Sequence, residues 1–174
     1  MTILIIIAAL IILLLLIALV SKKGYTVQRE IIINKPKQEV FNYLKLLKNQ
    51  DQYSKFVMMD PNMKKEFKGT DGTVGFVYAW EGNKQAGKGA QEIMKITEGE
   101  RLDVEIRFIK PFEGIAQVLF TTGAISDNQT KVTWGMTSAM KYPMNIMLLI
   151  INIEKMLGKD LEISLSNLKT ILER

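Results

Sequence analysis

Three glutamates, Glu81, Glu92 and Glu105, and the hydroxyls of Tyr78 and Tyr142 are the groups in this chain best suited by type and position to general acid or base work. No histidine and no cysteine accompanies them. Ser-His-Asp and Cys-His nucleophilic systems are thereby excluded, as are ordinary zinc sites, because the bases and ligands they require are missing. An all-carboxylate metal site stays open in principle, but no EF-hand spacing of carboxylates occurs, and no metal or cofactor is assigned. Strict alternation puts Glu105 on the wet face of its strand. Glu92 shares the even parity of Met94 and Ile96 and is a candidate to point inward, although solvated or turn-stabilising roles are the simpler reading. No catalytic residue is assigned.

Other motifs have plainer readings. The string Gly69-Thr70-Asp71-Gly72-Thr73-Val74-Gly75 lacks the Gly-Lys-Ser/Thr ending of a phosphate loop and lies between strands, which makes it a hairpin turn. Gly87-Lys88-Gly89 reads as a place where a strand bends. Asn128-Gln129-Thr130 is formally a glycosylation sequon and more simply a turn. A net charge of +5 without an arginine cluster or an exposed aromatic platform is too weak a sign for a nucleic-acid partner.

The elements that hold these residues fall into two parts. From Ile3 to Val20 there are 18 consecutive residues drawn only from Ile, Leu, Ala and Val. As a helix this run spans roughly 27 Å, the length of a membrane span. It has no basic region before it, so an uncleaved single-pass anchor is the expected reading and a cleavable signal peptide the alternative. All Lys, Arg, Asp and Glu residues follow Val20. Lys22, Lys23, Arg29, Lys35 and Lys37 crowd its C-terminal flank, which by the positive-inside rule puts the remaining domain on the cytoplasmic face, with a periplasmic location as the alternative. Lys22 and Lys23 are also placed to touch anionic headgroups.

Beyond the anchor, "YTVQREIII" predicts a strand that stops at Asn34-Lys35-Pro36, where Asn34 can cap a helix carrying Val40, Phe41, Leu44 and Leu47 on one face. A short second helix is expected before the Asp60-Pro61-Asn62 turn. From Met63 to Met140 the period changes to two, with turn signals every ten or so residues, and six antiparallel strands fit. Leu102, Val104, Ile106 and Phe108 alternate with polar neighbours, and Phe76, Tyr78 and Trp80, starting at Val74, and Val132, Trp134 and Met136 repeat the pattern. After Pro143 a long closing helix is predicted, with Leu157, Leu161, Leu165, Leu168 and Leu172 as its stripe and a bend allowed at Gly158. Its first half, "PMNIMLLIINIEKMLG", is apolar on more sides than one packing partner explains.

The segments "INKPKQEVFNYL", "DPNM", "GTVGFVYAWEGNKQAGKGAQEI", "FIKPFEG", "TKVTWGM" and "MKYPMNIMLLIINIEKMLGKDLEISLSNLK", in this order of elements, resemble the START-like (SRPBCC) superfamily, in particular its polyketide cyclase/dehydrase-like and lipid-transport branch. The resemblance covers residues 25 to 174, and the helix in front is similar to that of membrane-attached bacterial members. It implies an α+β helix-grip fold, a curved antiparallel sheet of about seven strands around the C-terminal helix. The domains are then an anchor at 1–21 and a START-like domain at 22–174. It also implies a cavity for a lipid, isoprenoid or polyketide-like molecule, and carries no family-wide catalytic residue. Side-chain pattern nominates Phe76, Tyr78, Trp80, Ile106, Phe108, Trp134 and Met136 from the sheet, with Met140, Met144, Met147 and Ile151 from the helix, as its lining. A cyclase-like enzyme using carboxylate and tyrosine groups, and a non-catalytic interaction module, are the alternative functions.

Overall fold

A computed structural model describes the whole chain, Met1 to Arg174. Helix α1 (Thr2–Val20) is long and apolar enough to cross a membrane, and it stands almost wholly clear of the rest, with Ala18 its one buried residue. Three residues later β1 (Gly24–Ile33) begins, followed by α2 (Lys37–Leu44), a 3-10 turn, and two single-turn helices, α3 (Gln50–Tyr53) and α4 (Lys55–Met58). Strands β2 (Lys64–Lys68), β3 (Val77–Glu81), β4 (Lys88–Thr97), β5 (Arg101–Lys110), β6 (Gly114–Ser126) and β7 (Gln129–Ala139) lead to α5 (Met147–Ile150) and α6 (Ile153–Leu172). All strand pairs are antiparallel, in the spatial order β1-β7-β6-β5-β4-β3-β2, so the first strand closes onto the last.

One face of this sheet grips α6. Leu161, Leu165, Leu168 and Leu172 bury against Val27, Ile33 and Val132 as part of a 23-residue apolar core that contains nothing from α1. The alternation of β5 is clear in its first half, where Leu102 and Val104 are buried while Arg101 is exposed and Asp103 half-buried, and it fades from Glu105 to Phe108, all half-buried.

Local chemistry moves several boundaries from where pattern alone put them. The closing helix does not start at Pro143. After a 3-10 turn over Met144–Ile146 and the single turn of α5, Ile151 is extended, and α6 begins where the Asn152 side chain accepts from the Lys155 amide at 2.9 Å. Helix α6 continues unbroken through Gly158. The missing Cβ there leaves room for the Arg29 guanidinium, which lies across the helix between Glu154 (2.7 Å) and Glu162 (2.5 Å). Those carboxylates, by hydrogen bonding, hold the Arg29 pKa above its ordinary value. Asn34 caps no helix; its side chain accepts from Gln129 at 2.9 Å, and Pro36 occupies the N-cap position of α2. The strand expected from Val74 begins at Val77, because Gly72 and Gly75 adopt positive φ and hold the chain in turns. A bulge between Ile93 and Lys95 breaks the parity of β4.

Candidate ligand cavity

Between the gripping face of the sheet, α4 and the start of α6 lies a cavity of about 360 Å³, lined by 20 residues of which 15 are hydrophobic. Three strands give it aromatic walls. Trp80 and Phe108 meet edge-on with centroids 6.2 Å apart, and Trp134 packs on Phe120 at 4.6 Å. Trp80 can lie flat along the sheet only because the neighbouring position on β4 is Gly89. A Cβ there would sit 2.6 Å from the indole ring and 2.7 Å from the Arg107 carbonyl. The indole N–H donates to the Ala86 carbonyl at 3.0 Å, which fixes the ring against the β3–β4 turn.

Polar groups are few and mostly paired. Gln91 donates to Gln50 at 3.0 Å, both side chains nearly fully buried. The Tyr78 hydroxyl donates to Asp51 at 2.6 Å, and Asp51 in turn pairs with Lys65 at 2.8 Å. Burial first, and the bond to Asp51 second, raise the Tyr78 pKa far above the phenol range; burial, with a smaller push from Tyr43, does the same to Tyr53. Ser54, Gln85 and Asp160 complete the polar lining. The deep residues, Gln50, Gln91 and Trp134, are buried, whereas Gln85 and Met156 are exposed, so the mouth lies between the β3–β4 turn and the first turns of α6.

Of the residues nominated from sequence, Tyr78, Trp80, Ile106, Phe108, Trp134 and Met136 are brought together around this space. The other five lie elsewhere. Phe76 is in the core, stacked on Phe67 at 6.2 Å; Met140 packs half-buried on the core; Met144 is 44% exposed; Met147 is half-buried; and Ile151 faces a shallow hollow beside Lys22 and Tyr25. For Met144, Met147 and Ile151 the break at Ile151–Asn152 is the reason, since it sets them on a separate segment that does not continue the cavity-facing side of α6. Sequence reasoning missed Gln50, Ser54, Gln91 and Asp160. Gln91 shares the buried parity of Gly89 and Ile93, the available signal that it faces inward.

The acid-base candidates are scattered. Glu92 and Glu105 both pair with Arg107 on the face away from α6, so the inward orientation considered for Glu92 is not what β4 delivers. Glu81 pairs with Lys88, which holds its carboxyl below the usual range, and Tyr142 is 46% exposed. Only Tyr78 reaches the cavity, and its proton already serves Asp51.

No protein-family model and no curated protein matches this chain. Solved structures do. Norcoclaurine synthase from Thalictrum flavum, determined with dopamine and hydroxybenzaldehyde, is 12% identical with a TM-score of 0.62, over 91% of this chain and 92% of that one. Aha1 from Colwellia psychrerythraea is 14% identical with a TM-score of 0.59, over 86% and 96% of the two chains. Ara h 8.0201 is 15% identical with a TM-score of 0.56, over 86% and 95%. The fold is the helix-grip fold. These neighbours are Bet v1-like and START-like (SRPBCC) proteins, and at such identities the likeness extends to architecture alone.

The buried tyrosines of this helix-grip domain fix an alkaline limit. The phenol's ordinary value is 10.0, and Tyr53 and Tyr78 are raised above it on folding. Their contribution is complete below pH 10 or so and is lost as pH rises further, because the unfolded chain then releases protons that the folded one retains. Tyrosinate absorbance is expected to show these two ionising only in step with loss of the circular dichroism signal. Titration of all five tyrosines before any loss of structure would contradict their burial.

Proposed function

We propose that this chain is a membrane-tethered binding protein for a hydrophobic small molecule, a lipid, isoprenoid or polyketide-like compound, held between the sheet and α6. The observation that carries the reading is the apolar cavity, whose walls include Met59, Met63, Met136 and Met156, flexible side chains able to fit varied ligands. At about 360 Å³ it falls near the lower end of the roughly 300–1,000 Å³ range of ligand pockets, which favours a single-chain or compact-ring ligand over a two-chain lipid. Binding is better supported than cyclase-like catalysis because the lining carries a single carboxylate, Asp160, and the Tyr78 hydroxyl is engaged by Asp51 outside it.

Helix α1 provides the tether in this reading. Arg29 and Lys35 are paired with Glu154, Glu162 and Glu39, which leaves Lys22, Lys23 and Lys37, and the two beside the end of α1, Lys22 and Lys23, are the cations placed to meet headgroups and to hold the domain on the cytoplasmic side. Because the core draws nothing from α1, residues 22 to 174 can be purified from cells as a domain and subjected to native mass spectrometry and organic extraction. An apolar molecule at one per chain is the expected result. A domain that is empty and also fails to bind a hydrophobic fluorescent probe would remove the proposal.

A further inference from the structure

The junction between α1 and the domain is fixed by side chains. A helix C-terminus leaves its last few carbonyls without intrahelical partners. Here Asn145, fully buried, donates to the Ala18 carbonyl at 2.6 Å and to the Ser21 carbonyl at 3.3 Å, while the Ser21 hydroxyl donates to Ile17 at 2.6 Å. On the other side of the short linker, the Met140 amide donates to the Lys23 carbonyl at 2.8 Å. The segment from Tyr142 to Ile151 is therefore held against the last turn of the apolar helix.

That segment has two apolar sides. Leu148 and Ile151 pack on the core, whereas Leu149 is 62% and Ile150 75% exposed, with Met144 and Tyr142 exposed beside them. No charged residue occurs between Lys141 and Glu154, and Lys22, Lys23 and Lys141 border the patch. The 19 residues of α1 span roughly 28 Å, slightly less than the roughly 30 Å hydrocarbon thickness, so the turn containing Ala18 lies at or within the hydrocarbon boundary. Whatever Asn145 clamps to Ala18 sits at that level too.

We infer that Tyr142–Ile151 is a second membrane-contacting element, whose Leu149 and Ile150 side chains enter the headgroup boundary of the bilayer that α1 spans. It rests on the reading of α1 as an anchor. The tyrosine at the rim and the lysines around it match the aromatic and basic belt of a membrane interface. Docking also sets the entrance of the cavity. Tyr25 lines both the hollow beside this segment and the cavity itself, and Met156 and Gln85 at the mouth belong to the same end of the sheet as Gly24, so the opening faces the lipid surface. The doubly apolar stretch before α6 thus has its two neighbours, the protein core and the bilayer.

The chain has no cysteine, so single-site labelling is direct. The full chain carrying Leu10→Cys, Ile150→Cys or Asp127→Cys, each labelled with an environment-sensitive fluorophore, is placed in nanodiscs of phosphatidylcholine and phosphatidylglycerol with nitroxide lipids. Ile150 is expected to lose roughly half its emission to headgroup-level nitroxide, as befits burial about 5–10 Å into the boundary. Leu10 responds to nitroxide carried deep on the acyl chain, and Asp127, in the β6–β7 turn at the far end of the sheet, responds to neither. If Ile150 behaves like Asp127 while Leu10 is quenched, the docking inference fails and the anchor stands. If Leu10 is also unquenched, the anchor reading falls and takes the inference with it.

Discussion

Ile106→Trp lowers the affinity of the domain for an apolar ligand by about 100-fold and leaves the fold intact. Ile106 is half-buried on β5, flanked by Gln91 on β4 and Ala116 on β6, and its side chain borders the cavity. Bulk added there enters about 360 Å³ of open space rather than a filled core, so the overpacking strain of a core substitution is avoided. A ligand that loses about 100 Å² of apolar contact to the new indole gives up roughly 2.5 kcal/mol, close to two decades in Kd. Titration with a hydrophobic fluorescent probe measures the affinity, and a thermal melt of the same sample confirms the fold. Unchanged affinity in a folded variant would mean that ligand does not occupy this space.

The elements that build this cavity were readable because strands announce themselves by alternation. Trp80, Phe108, Trp134 and Met136 each sit on the bulky apolar parity of a strand, and burial tracks parity clearly in β6, whereas β7, paired on both sides, buries Val132 to Met136 without alternation. Where pairing slips, the reading fails. The bulge between Ile93 and Lys95 turns Met94 out to solvent and puts Gln91, not Glu92, on the inner face. A bulge shifts register by one residue without any composition signature, so nothing in the sequence distinguishes Gln91 from an ordinary surface glutamine except its spacing from Gly89 and Ile93. The closing helix shows the complementary limit. Its apolar run continues smoothly from Met144 through Ile153, yet the backbone breaks at Ile151 because Asn152 caps α6, and Asn145 is drawn away to the end of α1. In the sequence both asparagines are polar interruptions of a hydrophobic run. Each instead satisfies backbone groups at a helix terminus, one by local capping and the other across 127 residues of chain.

The continuous helix α6 nevertheless has two working parts, and alanine substitutions should separate them. Leu165 is 1% exposed and belongs to the central core, so Leu165→Ala is expected to destabilise the 22 to 174 domain by about 2–5 kcal/mol, the range for removing a buried leucine. Met156, two turns earlier, is 51% exposed at the cavity mouth, and Met156→Ala should change stability by only about 0.5 kcal/mol while weakening probe binding several-fold. Chemical denaturation with matched binding titrations distinguishes the two effects. Equal destabilisation by both would mean that the start of α6 is packed core and that the cavity closes in solution. The periodic stripe cannot foretell this contrast, since Leu157, Leu161 and Leu165 recur at the same spacing. What differs is the opposite wall. Leu165 belongs to the packed core where α6 lies along β1, whereas Met156 and Leu157 border the cavity that Trp80 and Phe108 also line. Packing therefore holds one end of the helix in place, and the apolar space left under the other end is where binding can occur.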